Sequence, residues 1–351
     1  MLIYILLVVE ILILNYMRVH GRISKKTFCQ IVGVSFVLLT GLRSANVGSD
    51  TAVYYGAFEE WAKHGLGQAL EERDWGFYLL MWGVQKATGS FTVLSLIVAA
   101  LFYYPVTRLV YKYSSDCGLS FLVLMAFNFF QFSMTGMRQT VALGFAILFL
   151  MEMLEKKPKY ERAVLWFVMG IVMHRSCLMV LVYLLIKKIA RYVNVPLISM
   201  VLIPVAYIYR NEITSRMSTM FEEIGFNLEL YEGSGGGITT YLVYLLLLLG
   251  GIFLTYRGHD ANRMNNMDLL IMALAVASQS FVMVNSIFFR VVWYFSIYLI
   301  IYIPKFLATS RFEERSLGFV RIVMYVGVLF MYFGITIGSA NVVPYQFFWQ
   351  G

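Results

Sequence analysis

The sequence predicts an all-α fold, a polytopic bundle of about 11–13 transmembrane helices with no soluble domain. Three observations support this prediction. Of the 351 residues, 60% are hydrophobic and only 14% are charged, whereas soluble domains carry about 25% charged residues. Aromatic residues make up 17% of the chain, which suits lipid-facing and interfacial surface. Long apolar stretches recur along the whole chain.

The apolar stretches follow one another with short polar connections, and a span needs about 20 mostly apolar residues. Residues 75–88 are too short and too amphipathic to span, so they predict an interfacial or re-entrant helix. The stretch 162–190 predicts either one long helix or two short ones broken at His174–Arg175. In chain order the candidate spans are 2–17, 27–42, 91–110, 119–135, 138–154, 162–174, 176–190, 195–209, 238–256, 268–286, 290–307 and 317–337.

The net charge of +8 fits the positive-inside rule, in which Lys and Arg gather in cytoplasmic loops. It therefore does not indicate nucleic-acid binding. Alternating spans place most basic residues on one side, the cytoplasmic one. Residues 1–351 form one membrane domain with two outer hydrophilic loops, 43–75 and 210–237. The outward basic residues are Arg43, Lys63, Arg73, Lys86, Arg138, Arg175, Arg210, Arg216 and Arg290.

Four of these residues, Arg43, Arg138, Arg175 and Arg290, lie at the ends of long apolar stretches or between them. Arg138 is the only charged residue within 118–151. An arginine near lipid costs about 2.5–3.5 kcal/mol on insertion scales. Several of them predict an anionic ligand held at a shared outer-face site.

Arg43 and Asp50 stand at the outer end of a predicted helix, with Gly48 between them allowing a tight turn. Asp50 suits the N-cap of the next helical segment, which contains Tyr54. In a functional interpretation Arg43 holds a phosphate, and Asp50 acts as a base or positions the arginine. A structural cap with an interfacial salt bridge explains the same pattern.

Gly136 and its polar neighbours separate two apolar helices and leave Arg138 and Gln139 at the start of the second one. Free N–H groups at a helix N-terminus suit anions, and an arginine adds bidentate phosphate recognition. The alternative is a tight turn whose arginine extends to the membrane interface.

His174 is the only one of the four histidines inside an apolar region, and Arg175 follows it. An imidazole can act as a general base near neutral pH. A packing role for His174 remains open on the sequence alone.

Arg290 begins another apolar helix, and Tyr294 lies one turn further on the same face. This pair suits a ligand site. It equally suits an arginine beside an interfacial belt of Trp and Tyr.

Metal and cofactor motifs are absent from the sequence. No Asp-x-Asp, HExxH, GxSxG or P-loop pattern occurs. Cys29, Cys117 and Cys177 form no CxxC pair. The sequence therefore predicts no metal site, no disulfide framework and no cofactor.

Short motifs recur in a fixed order over most of the chain. They are Leu42-Arg43, Val47-Gly48-Ser49-Asp50-Thr51, Tyr54, Phe58, Asp74-Trp75-Gly76-Phe77, Met137-Arg138-Gln139, His174, Arg290, Tyr294 and Val343-Pro344-Tyr345. This set resembles the EpsG family of bacterial exopolysaccharide proteins, which is related to Wzy-type polysaccharide polymerases. The family usually has Glu where Asp74 stands, and Arg73 and Arg175 are not assigned to a position in its pattern.

The resemblance implies a metal-independent membrane glycosyltransferase. It would transfer a glycan repeat unit from an undecaprenyl-diphosphate donor to a lipid-linked acceptor, at the outer face of the bacterial cytoplasmic membrane. The implied partners are the undecaprenyl-diphosphate-linked oligosaccharide, membrane lipid, a chain-length regulator and a flippase. Nucleic acid is not among them.

This reaction sets chemical requirements. Arginines would offset charge on the leaving diphosphate, and the acceptor hydroxyl must pass its proton to a carboxylate or imidazole. We assign Arg138 and Arg290 to the diphosphate, with Arg43 and Arg175 in support. The general base is His174 or Asp50. The residues that position sugar or phosphate are Tyr54, Tyr294 and Gln139, and those that stack on sugar rings are Trp61 and Trp75.

Other functions use similar residues. A flippase for lipid-linked oligosaccharide would need ionisable residues along the membrane depth, whereas the costly charges here gather at one face. A membrane O-acyltransferase would need a histidine with access to a cytoplasmic acyl donor, and His174 is predicted near the outer face. A non-catalytic assembly subunit is also compatible with the sequence.

Overall fold

The computed structural model describes residues 1–223, 236–257, 264–309 and 314–350. Over these ranges the chain is helical, with 18 α-helices and no β-strand, which confirms the all-α prediction. The helices are α1 (Leu2–Val19), α2 (Lys25–Gly41), α3 (Thr51–Glu60), α4 (Leu66–Glu71), α5 (Trp75–Thr88), α6 (Phe91–Tyr113), α7 (Cys117–Ala126), α8 (Phe129–Ser133), α9 (Met137–Leu154), α10 (Tyr160–Met173), α11 (Val182–Ile189), α12 (Val195–Ile208), α13 (Arg210–Glu223), α14 (Ile238–Arg257), α15 (Asn266–Val282), α16 (Phe289–Ser296), α17 (Leu299–Thr309) and α18 (Glu314–Met331).

Five helical segments in the described ranges are long and apolar enough to cross a membrane. A sixth arises if α16 and α17, bent by 51° at the break between them, count as one span. The chain is therefore a multi-pass membrane protein. The five segments are Leu2–Val19, Phe91–Tyr113, Met137–Leu154, Ile238–Tyr256 and Gly318–Thr336.

Several predicted spans are broken into shorter helices. The stretch 119–135 becomes α7 and α8, because Asn128 takes a left-handed conformation with φ of 68°. The stretch 162–190 divides at His174, whose extended backbone ends α10 and is followed by a 3-10 helix, Arg175–Leu181. The predicted helix 75–88 is present with the same bounds as α5, and Gly89 closes it in a left-handed conformation.

The described residues form two compact units. The first contains Met1–Val180 and Phe312–Gly351. Its core includes α9, which is buried along nearly its whole length. At Gly144 a Cβ atom would lie 2.3 Å from the Leu101 carbonyl oxygen, so glycine is what allows α9 to approach α6.

The second unit contains Leu181–Arg311 and is built around α15. Asp268, 1% exposed in the first turn of α15, accepts hydrogen bonds from Tyr298 and Lys305. A capping box with Asn265 fixes the same turn. This buried network holds α15 to α17. The prediction of one membrane domain over 1–351 stays a prediction.

The two predicted outer loops contain helices. The segment 43–75 includes α3 and α4. The segment 210–237 begins with α13, and its residues 224–235 lie outside the described part of the chain.

Candidate functional site

The loop after α2 is docked on the turn between α8 and α9. The Met134 carbonyl accepts hydrogen bonds from Arg43 Nε at 3.1 Å and from Thr51 Oγ1 at 2.7 Å. Gly48 has φ of 100°, and a Cβ there would lie 2.4 Å from the Met134 oxygen. The glycine of the Val-Gly-Ser-Asp-Thr motif thus stands where no side chain fits. The contacts with Met134 bring this motif next to the Met-Arg-Gln motif, which is distant in sequence.

Arg43 is 2% exposed and lies inside the first unit. Its guanidinium also donates to the Thr40 carbonyl. The C-terminal segment lies along the loop, where the backbones of Phe347 and Arg43 pair in an isolated antiparallel β-bridge. The backbone N–H of Ser44 donates to Gln346 at 2.8 Å. Arg43 thus donates to two backbone carbonyls, and its support of a diphosphate stays a prediction.

Tyr54 connects the docked loop with Arg138. Asp50 is exposed at the N-cap of α3, its side chain makes no capping hydrogen bond, and Tyr54 follows one helical turn later. The Tyr54 hydroxyl is hydrogen-bonded to the Arg138 guanidinium. Its ring meets Phe77 edge to face, with 5.7 Å between ring centroids. Asp50 therefore lies one turn before the residue that contacts Arg138.

Arg138 forms an ion pair with Asp74. Its Nη1 lies 2.9 Å from Asp74 Oδ2, with side-chain exposures of 32% and 6%. The guanidinium also lies over the Tyr78 ring, 5.9 Å from the centroid. Arg138 thus contacts Asp74, Tyr54 and Tyr78, and about a third of its side chain remains accessible to solvent.

Asp74 gathers further positive charge. Its carboxylate accepts a hydrogen bond from the backbone N–H of Arg175, and the charges of Arg73 and Arg175 both act on it. We call Arg73, Arg138 and Arg175 around Asp74, with Tyr54 and Tyr78, the arginine cluster. All of its members belong to the first unit.

Burial and neighbouring charges have opposite effects on the pKa of Asp74. Burial raises the pKa of Asp74 above its ordinary value, more than the Arg138 guanidinium lowers it. Burial, reinforced by Arg175, lowers the pKa of Arg73. Three guanidinium groups and one carboxylate leave two positive charges in excess. The exposed Glu72 also lies near Tyr78, where solvent screens its charge.

His174 adjoins the cluster through Arg175. It is 4% exposed, and its Nδ1 accepts the backbone N–H of Ser176 at 3.2 Å. Since a backbone N–H can only donate, the neutral imidazole carries its hydrogen on Nε2. His174 is therefore buried with its Nδ1 already used as an acceptor, whereas the Asp50 side chain is exposed, which favours Asp50 over His174 as the proton acceptor.

The remaining candidates of the first unit differ in accessibility. Gln139 is 2% exposed on the first turn of α9. Trp61 is 5% exposed and packs against Tyr78 at 5.5 Å between centroids. Trp75 is 40% exposed. Of the two proposed sugar platforms, Trp75 is the accessible one.

Arg290 and Tyr294 lie in the second unit. The Arg290 guanidinium lies over the Phe289 ring, 6.0 Å from its centroid. Tyr294 is fully buried, and its backbone carbonyl accepts a hydrogen bond from the Tyr183 hydroxyl. The geometry thus gives Tyr294 a place in the core of that unit, and a shared site for Arg290 and Arg138 stays a prediction.

Sequence reasoning missed three members of the cluster as site residues: Arg73, Asp74 and Tyr78. Asp74 carried a signal, because it opens the Asp-Trp-Gly-Phe motif. The structure also explains the glycine of this motif, since a Cβ on Gly76 would lie 2.9 Å from the Val172 carbonyl oxygen. Across the described residues, no three His, Cys, Asp or Glu side chains come together as a possible metal site.

The fold and the cluster define a class: a multi-pass membrane protein that gathers arginines from separate helices around one buried carboxylate. The chain belongs to the EpsG family, whose model matches residues 26–347, nearly the whole chain. This confirms the resemblance seen in the motifs and makes the chain an exopolysaccharide biosynthesis protein. No curated protein and no solved structure is significantly similar to it.

Proposed function

We propose that this chain is a Wzy-like polysaccharide polymerase. It transfers a glycan repeat unit from an undecaprenyl-diphosphate donor to a second lipid-linked unit, without a metal or cofactor. The reaction takes place at the outer face of the bacterial cytoplasmic membrane. A flippase that delivers the donor and a chain-length regulator are its expected partners.

The excess charge of the arginine cluster is the observation that carries this proposal. The Arg138 guanidinium is ion-paired with Asp74, and the charges of Arg73 and Arg175 act on the same carboxylate. Several arginines near one another suit a diphosphate because they form bidentate, charge-assisted hydrogen bonds. Exopolysaccharide biosynthesis supplies a ligand of this kind, a sugar attached to a lipid diphosphate. Arg138, with a third of its side chain accessible, is the central contact.

The proposed step is a substitution at the anomeric carbon of the donor. The bond from this carbon to the diphosphate oxygen breaks, and the acceptor hydroxyl oxygen forms the new glycosidic bond. The hydroxyl proton passes to Asp50, which is exposed one turn from Tyr54. The lipid diphosphate leaves with the bonding electrons, stabilised by the cluster. The assignment of Arg290 to the same diphosphate stays a prediction from the sequence.

The distribution of basic residues supports an outward-facing site. The larger set of Lys and Arg falls on one side when the predicted spans alternate, and Arg73, Arg138 and Arg175 all belong to the smaller set. The positive-inside rule assigns that smaller set to the outer face.

Purified protein in detergent, incubated with an undecaprenyl-diphosphate-linked repeat unit, tests the proposal. We expect the wild type to produce a ladder of elongated products. The absence of elongation, together with transfer of the same lipid across the bilayer of reconstituted vesicles, would replace the polymerase by a flippase. Elongation that stops when metal ions are chelated would contradict the metal-independent step.

A further inference from the structure

Asp74 connects three segments of the first unit. It stands at the N-cap of α5, yet its side chain makes no capping hydrogen bond. Its carboxylate binds Nη1 of Arg138 at the start of α9 and accepts the backbone N–H of Arg175, where the 3-10 helix begins. Because an Asp at an N-cap ordinarily caps its own helix, this arrangement gives up a local hydrogen bond for two long-range ones.

The surroundings of Asp74 restrict its movement. The side chain is 6% exposed, and Gly76 lets the start of α5 lie against Val172 near the end of α10. Arg73 and Arg175 add their charges on the same carboxylate. Like charges repel, so Asp74 is the group that allows three guanidinium groups to stay close.

We propose that Asp74 is a positioning residue, which orients the Arg138 guanidinium and anchors Arg175; this inference rests on the proposed function. Asp74 occupies Nη1 of Arg138. The part of the guanidinium that is bonded to neither Asp74 nor Tyr54 is left for the phosphate. Asp74 itself does not touch the substrate, because its carboxylate is buried and already bonded to protein groups.

A positioning role predicts a separation of binding from turnover. Asp74→Asn removes a negative charge from a cationic site, so affinity for undecaprenyl diphosphate should stay within about threefold of wild type. The kcat of elongation should fall about 10- to 100-fold, because small misplacements of a transition-state contact are costly. Arg138→Ala should instead weaken lipid binding by about tenfold or more.

The double variant Asp74→Asn/Arg138→Ala tests whether Asp74 acts through Arg138. If it does, adding Asp74→Asn to Arg138→Ala lowers kcat by less than about threefold further. Asp74→Glu keeps the charge and should restore most of the turnover. Glu72→Gln is the matched control, since it removes an exposed carboxylate two positions away and should leave both quantities unchanged.

Binding of undecaprenyl diphosphate and elongation are measured on monodisperse protein for every variant. Independent, multiplicative effects in the double variant would overturn the inference, as would an Asp74→Asn protein with wild-type kcat. A wild type that neither binds the lipid nor elongates it would instead overturn the proposed function. The two failures are therefore distinguishable.

Discussion

Arg138 provides the most direct test of the cluster. The side chain makes an ion pair with Asp74 at 2.9 Å, a hydrogen bond with Tyr54 and a cation–π contact with Tyr78. Its accessible third is the part that we assign to the diphosphate. Arg138→Lys retains a positive charge but loses the planar fork, and Arg138→Ala loses both.

The expected effects follow from the number of hydrogen bonds to the phosphate that each variant can still form. A hydrogen bond between charged groups contributes about 1.5–3 kcal/mol, and each 1.36 kcal/mol changes a rate about tenfold. Arg138→Lys, which forms one fewer bond to the phosphate, should lower kcat/KM for the lipid-linked donor about 10- to 150-fold. Arg138→Ala, which forms two fewer, should lower it about 10²- to 10⁴-fold.

The assay is elongation of the lipid-linked repeat unit by purified protein, with donor concentration varied. Lys63→Ala is the control, because Lys63 is exposed on the same predicted side and should change kcat/KM less than about twofold. Wild-type kcat/KM in Arg138→Ala would refute the assignment. Equal reductions in Arg138→Ala and Lys63→Ala would reduce it to a general charge effect.

Three further predictions concern stability and proton transfer. Arg43→Ala should lower the free energy of unfolding by about 3 kcal/mol or more, because two charge-assisted hydrogen bonds to buried carbonyls disappear; a reduced melting temperature in detergent checks this, and an unchanged one contradicts it. Asp50→Asn should lower kcat about 10²- to 10⁴-fold, as expected for loss of a general base, while His174→Asn should lower it much less; the reverse pattern would move the base to His174. Arg138→Gln should destabilise the folded protein more at about pH 8 than at about pH 5. Burial raises the pKa of Asp74 above its unfolded value, so above that pKa the variant holds a buried, ionised carboxylate without its ion-pair partner. This free-energy cost disappears at lower pH, as Asp74 is protonated. Melting temperatures at both pH values measure this, and equal decreases would contradict it.

The sequence identified part of the site through the cost of burying charge. Arg138 stood out because no other charged residue lies within 118–151. Arg73 and Asp74 escaped the same reasoning, since they lie in a polar loop where a charge is ordinary. Their importance arises only when folding brings that loop to Arg138, and sequence spacing does not encode this contact.

Arg43 illustrates the opposite case. The free-energy cost of burying its charge predicted a ligand, and the folded chain gives two of its nitrogens other acceptors, the carbonyls of Thr40 and Met134. A sequence cannot distinguish these two uses, because both require a buried donor. The helix break at His174 was one of the two alternatives that the sequence left open, whereas the break at Asn128 was not predicted, since it depends on one residue's backbone conformation.

The ratio of charges in the cluster has a chemical consequence. Without Asp74, three guanidinium groups would repel one another; each further buried carboxylate would weaken the attraction of the site for an anion. One carboxylate fixes the geometry and leaves two positive charges in excess. In the proposed reaction the leaving diphosphate gains about one negative charge as the glycosyl bond breaks, so the excess would stabilise the transition state more than the bound donor. The arrangement is therefore better matched to bond cleavage than to transport, in which the charge of the lipid does not change.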